Sequence, residues 1–220
     1  MTKLIVIIAI SGNQVRCSSG YENGQTDSLQ GGSVAEVFLN TPGWRIRGVT
    51  RDPSKEVAKK LEARGIEIVK GDANDVGSLR AAVAGADVVF GNTVFPQVYQ
   101  APTEEDLKRL RPGQTIRQWC YELEYNQGRN IADAVATVGG LELFVWSSLS
   151  AAKKWSSGKY TGVYHFDSKA DVVEYIHDKL PALAKKMTIL QMGLFINNWR
   201  WGQAAVPWSK VGSFCLCVSS

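Results

Sequence analysis

Five stretches of the chain carry residue types whose spacing can do chemistry. After Ile8 the chain reads Ala9-Ile10-Ser11-Gly12-Asn13-Gln14, a small polar turn leaving an apolar run; a helix-like pattern resumes only at Gly31-Gly32-Ser33. Glycines in a strand-to-helix turn let backbone amides approach a phosphate at the helix N-terminus. Arg51 lies next to Asp52, with Lys55 one helical turn beyond Arg51. Two cations so placed can clamp a phosphate, whereas the carboxylate between them can accept hydrogen bonds from sugar hydroxyls. Gly71-Asp72-Ala73-Asn74-Asp75 and Gly91-Asn92-Thr93 are small polar turns, and Asp72 is also suited to capping the helix that follows it. The last stretch is His165-Phe166-Asp167-Ser168-Lys169-Ala170, where a lysine stands at the start of an apolar helical pattern.

The elements that must position these groups follow from periodicity. Lys3–Ile10 is a short, nearly all-apolar run rich in β-branched residues, as a strand covered on both faces requires. Further strands are expected at Trp44–Thr50, Ile66–Val69, Asp87–Phe90, Leu141–Trp146 and Met187–Met192. Helices are expected from Pro53 as first helical residue to Arg64, over Val76–Ala84, over Thr115–Val138 and over Ser168–Lys179. Within Thr115–Val138, Ile116, Trp119, Leu123, Ile131 and Val135 lie on or near one face. Strands alternating with helices predict parallel βαβ units in an α/β, Rossmann-like doubly wound sheet. Each chemical stretch then follows a strand or opens a helix.

Joined across the intervening segment, Gln14 and Gly31 produce Ala-Ile-Ser-Gly-Asn-Gln-Gly-Gly. This resembles the phosphate loop of the NmrA-like family, an atypical branch of the short-chain dehydrogenase/reductases, which reads Gly-x-Thr-Gly-x-Gln-Gly-Gly. Ser11 replaces the threonine conservatively, but Ala9 stands where the family has its first glycine. The likeness covers residues 3–14 and 31–209 and is closest to the branch containing NADPH-sensing members. It implies that Ser11, Gly12, Asn13, Gln14 and Gly31 cradle the pyrophosphate, that Asp72 and Ala73 contact the adenine, and that Asn92 and Thr93 line the ribose side. Arg51 and Lys55 outnumber Asp52 at the strand end, where an NAD-preferring site would place an acidic residue, so the cofactor expected is NADP(H). The resemblance places Lys169 against the nicotinamide ribose, with a second role in proton transfer, to which a lysine of lowered pKa is suited. Tyr164 precedes Lys169 by five residues, so the Tyr-x-x-x-Lys pair of ordinary short-chain dehydrogenases is absent. Ser147-Ser148 stands where those enzymes keep an active-site serine, although small hydroxyls are equally common at strand ends, and His165 is read as a packing or hydrogen-bonding residue in preference to a base.

The segment Val15–Gln30 that splits the loop reads as a retained intron. Val15-Arg16 can be encoded by GTACGT, a fungal-type splice donor, Thr26-Asp27 can contain the branch string CTGAC, and Gln30 can be CAG. The other reading is a genuine surface loop, since lengthening a closed loop costs little. Val211-Gly212 can likewise encode a donor, and Ser213–Ser220 has no family resemblance. The domain reading is therefore residues 1–192 as the NAD(P)-binding domain and residues 193–220 as the start of a truncated substrate-side lobe.

Composition narrows the function class. The chain has 220 residues, is 45% hydrophobic and carries a net charge of +4 spread along its length. A dispersed charge of that size makes no case for nucleic acid, which needs a concentrated basic face. Leu4–Ile10 is far too short to span a bilayer, and a buried first strand explains it better than a signal peptide. Cys17, Cys120, Cys215 and Cys217 show no zinc spacing and are expected to be incidental reduced thiols. The expected protein is cytoplasmic, with the nucleus as a second location. Its expected function is NADP(H)-dependent oxidoreduction of a small carbonyl or enone. The alternative is a non-catalytic redox sensor acting on a transcription factor.

Overall fold

The computed structural model describes residues 2–9 and 29–192. In chain order its elements are β1 (Lys3–Ile8), α1 (Leu29–Leu39), β2 (Trp44–Thr50), α2 (Glu56–Glu62), β3 (Glu67–Lys70), α3 (Val76–Val83), β4 (Val88–Gly91), a 3-10 turn (Gln97–Tyr99), α4 (Glu104–Lys108), α5 (Ile116–Val135), β5 (Leu143–Ser148), α6 (Ala152–Trp155), α7 (Tyr164–Lys179), α8 (Pro181–Ala184) and β6 (Met187–Gln191). The six strands form one sheet in the order β3-β2-β1-β4-β5-β6, and every neighbouring pair is parallel. The chain thus builds outward from β1 to β3, then returns to β4 and builds the other way. This leaves a topological switch point between β1 and β4, where doubly wound sheets bind ligands outside the carboxyl ends of the strands.

β1 shows why this sheet needs two helical layers. Leu4, Val6 and Ile8 pack into a core that also holds Leu79 and Val83 of α3, Ile131 and Val135 of α5, and Val172 and Ile176 of α7. Ile5 and Ile7 point the other way, into a core shared with Ala35 of α1 and Leu61 of α2. Successive residues of a strand face opposite sides, so an unbroken apolar run is stable only where both sides are covered. No helix among the described residues is long and apolar enough to cross a membrane.

Several boundaries differ from the periodicity reading. β1 stops at Ile8 because Ala9 takes a left-handed conformation at φ 59°. The helix expected from Pro53 begins only at Glu56: the Asp52 carboxylate accepts hydrogen bonds from Ser54 N (3.0 Å) and Ser54 Oγ (2.6 Å), which holds Pro53 in a turn. α1 starts at Leu29, so helix-favouring residues precede Gly31 and Gly32 instead of the glycines initiating the helix. α7 starts four residues before Ser168, which puts His165 through Lys169 on its first turns. α5 begins where a Thr-x-x-Gln pattern allows: the Thr115 side chain caps Gln118 N, and the Gln118 side chain accepts from Thr115 N. The same reciprocal cap, built from Thr103 and Asp106, starts the short helix α4, which periodicity missed.

Candidate cofactor cleft

The carboxyl ends of β1, β2, β3 and β4 open onto a cleft of about 440 Å³. Its walls follow the strand order. Gly71, Asp72 and Ala73 come from the end of β3, Thr50 to Asp52 and Lys55 from the end of β2, Ala9 from β1, and Asn92 to Val98 from beyond β4. Leu123 and Gln127 of α5 complete it. Six expected site residues, Arg51, Lys55, Asp72, Ala73, Asn92 and Thr93, therefore meet around one space. Gly31 is buried in the first turn of α1. Ser11, Gly12, Asn13 and Gln14 lie outside the described residues, as do most of Val15–Gln30 and all of residues 193–220.

At the end of β2 the electrostatics are one-sided. Arg51 and Lys55 are both exposed, and neither has an ion-pair partner among the described residues. Asp52 is different, because its two hydrogen bonds from Ser54, together with the nearby Lys55 and Lys70, hold its carboxyl below the usual range. One carboxylate oxygen is thus tied up in the turn that presents the two cations. An anion entering here meets two guests for charge and one carboxylate already engaged.

At the end of β3 the reading of Asp72 as helix cap is corrected. Asp75 caps α3, accepting from Gly77 N at 2.9 Å and Ser78 N at 3.3 Å. Asp72 instead accepts from Asn74 N and Asn74 Nδ2, both at 2.9 Å, and shapes the turn lining the cleft. A capping aspartate must directly precede the first helical residue, and Asp72 is too far upstream. Gly71 fits because a Cβ there would lie 2.5 Å from Val49 Cγ1. Only a residue without a side chain lets β3 leave the sheet so close to β2.

Lys169 lies behind the cleft wall, with the residue 9% exposed. Its Nζ donates to the Thr93 carbonyl and, at 2.9 Å, to Thr93 Oγ1. It also stands 2.8 Å from Glu124 Oε1. Its own carbonyl accepts from Trp146 Nε1 at 3.1 Å and Ser148 Oγ at 3.3 Å, so both ends of the residue are held. Ser148 therefore braces α7. His165 sits edge-on to Phe95 and Phe166, with ring centroids 5.9 and 4.7 Å away, as a packing residue does. Desolvation of its ring there holds the imidazole below its ordinary pKa. Among the described residues, no group of three or more His, Cys, Asp or Glu is placed to hold a metal.

Glu124 escaped the sequence reading. The half-buried Ile116, Trp119 and Leu123 flank the face of α5 that turns inward, which carries Cys120, Glu124, Gly128, Ile131, Ala132 and Val135. The available signal was a carboxylate at helical spacing between a cysteine and a glycine on the apolar side.

The model of the NmrA-like family matches residues 28–204. The chain belongs to the NmrA-like family. Similar proteins include the NmrA-like family domain-containing oxidoreductase notA of Aspergillus sp. (strain MF297-2), 31% identical over 153 residues, covering 68% of this chain and 39% of the relative. The oxidoreductase hkm9 of Aspergillus hancockii is 31% identical over 158 residues, covering 72% of this chain and 37% of that one. This NmrA-like chain therefore spans less than half the length of these curated relatives. Among solved structures, NmrA, a negative transcriptional regulator crystallised in complex with NADP, superposes with a TM-score of 0.60 at 20% identity, covering 90% of this chain and 47% of NmrA. The NADPH-dependent quinone oxidoreductase QOR2 from Escherichia coli, complexed with NADPH, superposes at 0.53 with 19% identity, covering 89% and 51%. At these identities the structural likeness shows the shared Rossmann-like fold.

Proposed function

We propose that this NmrA-like chain binds NADP(H) in the cleft and forms the cofactor half of an oxidoreductase acting on a small carbonyl or enone. The observation that carries the reading is the end of β2, where Arg51 and Lys55 are free of ion pairs among the described residues and Asp52 is engaged by Ser54. The NADP and NADPH carried by the solved relatives support it. In this reading Arg51 and Lys55 hold the 2′-phosphate, and Asp72 and Ala73 border the adenine. Asn92 and Thr93 form the ribose side, and Lys169 reaches the nicotinamide ribose from behind Thr93. Ser11, Gly12, Asn13, Gln14 and Gly31 supply the pyrophosphate loop. The cofactor, when bound, supplies a hydride donor. The protein's own contribution is to bind it, orient it and keep a charged lysine next to the reacting end. Residues 1–192 form the cofactor domain, and residues 193–220 begin the substrate-side lobe.

A second reading, a non-catalytic redox sensor that signals through protein contacts, draws on one observation. The Lys169 ammonium faces three protein acceptors, Thr93 O, Thr93 Oγ1 and Glu124 Oε1, and Tyr164 is out of step with it for a catalytic pair. The name of the structural relative, a negative transcriptional regulator, supports the same reading. The fungal relatives named as oxidoreductases favour the enzyme.

The test is a titration with NADPH and NADH of the full chain and of a chain lacking Val15–Gln30. NADPH is expected to bind at least about tenfold more tightly than NADH, the energy of one good charge-assisted contact. Arg51→Ala is expected to reduce that preference while leaving NADH affinity unchanged. Equal affinity for the two cofactors in the parent chain would refute the NADP(H) assignment. Turnover of quinone or carbonyl substrates above background would exclude the pure sensor.

A further inference from the structure

We infer that Glu124 is the positioning residue for Lys169, and that the pair together set the place of Thr93 in the cleft wall. Glu124 is 1% exposed, on a helix face otherwise lined by Cys120, Gly128, Ile131 and Val135. An apolar side chain there would suit the core better, since a buried ion pair is seldom more stable than well-packed apolar residues of similar volume. A carboxylate in that position is explained by the cation it holds. Lys169 Nζ is 2.8 Å from Glu124 Oε1, which accepts no hydrogen bond of good angle, and Glu124 Oε2 accepts from Ser168 Oγ. The carboxylate is thus anchored through one oxygen and directed at the lysine through the other.

The close approach of α5 and α7 makes this geometry possible. A Cβ on Gly128 would lie 2.4 Å from Val172 Cγ2, so the helices touch through a residue with no side chain. One turn earlier on each helix, Glu124 meets Ser168, and Lys169 is the next residue. From there Lys169 reaches across to the exit of β4, where both of its remaining contacts are to one residue, Thr93, which lines the cleft. Trp146 and Ser148 fix the backbone of Lys169 from β5, so the aim of its flexible side chain is left to Glu124 and Thr93.

The test compares Glu124→Gln, Lys169→Met and the double variant of the full chain. Three readouts are used: backbone hydrogen exchange across residues 91–95 without ligand, thermal melting, and NADPH titration. In Glu124→Gln, exchange across 91–95 is expected to rise about tenfold while the centre of β1 stays unchanged, and NADPH affinity is expected to fall by about tenfold. Removing both charges is expected to restore the melting temperature but neither the slow exchange nor the affinity. A pair serving only the core would restore the slow exchange together with the melting temperature in the double variant, and that outcome would overturn the inference. Unchanged exchange across 91–95 in Glu124→Gln would also overturn it. The affinity arm rests on the cofactor reading above, whereas the exchange arm does not. A parent chain that binds no NADPH would sink that reading and still leave the clamp tested by exchange alone.

Discussion

Gly128→Ala should destabilise the chain, against the intrinsic preference of its helix. Position 128 is in the middle of α5, where alanine is favoured over glycine by about 1 kcal/mol. The added methyl would lie 2.4 Å from Val172 Cγ2 and 3.3 Å from Trp146 Cη2. Neither neighbour gives way easily. Val172 is 1% exposed and β-branched, hence stiff about χ1, and Trp146 is fully buried with its ring nitrogen bonded to the Lys169 carbonyl. Overpacking of this kind costs roughly 1–3 kcal/mol, and the distance to Val172 argues for the upper end. After subtraction of the propensity gain, the net loss is about 1–2 kcal/mol, or a melting temperature lower by roughly 2–8 °C for a domain of this size. Val172→Ala added to Gly128→Ala removes the methyl that clashes. The double variant should thus be more stable than the two single losses sum to, with a coupling of about 1 kcal/mol. Urea and thermal denaturation of the four proteins measure it. A Gly128→Ala chain as stable as its parent would refute the close α5–α7 crossing, and with it the route by which Glu124 reaches Lys169.

Two other outcomes follow from single residues. Ala9 holds φ 59°, a left-handed conformation that costs an alanine roughly 1–2 kcal/mol relative to glycine. Ala9→Gly, offset in part by the freer unfolded chain, should raise stability by up to about 1 kcal/mol, and a drop on thermal melting would show that the strain is absent. Cys120 is fully buried, and desolvation pushes its thiol from 9.0 up to about 11. In the folded chain it should resist thiol reagents at pH 8 and react only on unfolding. Because the folded-state value is the higher one, its contribution to stability is complete below pH 9 and is lost as the pH rises from 9 to about 11. Labelling at the rate of a free thiol in native buffer would contradict this.

Much of the site was legible because its residues stand at the ends of strands. The alternation of strands with helices already implied a parallel sheet, and in such a sheet the turn after each strand faces one edge. Arg51, Lys55, Asp72, Ala73, Asn92 and Thr93 were therefore expected together, and together they line the cleft. Other assignments were ambiguous because the choice depends on one or two residues of register. Asp72 is a reasonable cap by type, and only the actual start of α3 gives that role to Asp75 instead. Pro53 is a good first helical residue by type, yet the hydrogen bonds from Ser54 to Asp52 form a turn that delays α2 to Glu56.

Taken by itself, the order of residues determined the βαβ rhythm, the unbroken apolar β1 that demands cover on both sides, the family, and the polar turns that meet at the sheet edge. These are local properties: a period of two or 3.6 residues, or a glycine beside a polar group, acts within a few positions. Tertiary structure alone decided that Glu124 faces Lys169, that Lys169 supports Thr93 from behind, and that Gly128 brings the two helices close enough for this. Those partners are separated by 45 or 76 positions in the chain. The distance between them is set by how α5 and α7 pack over the sheet, a quantity that depends on every side chain in the layer and is written at no single position.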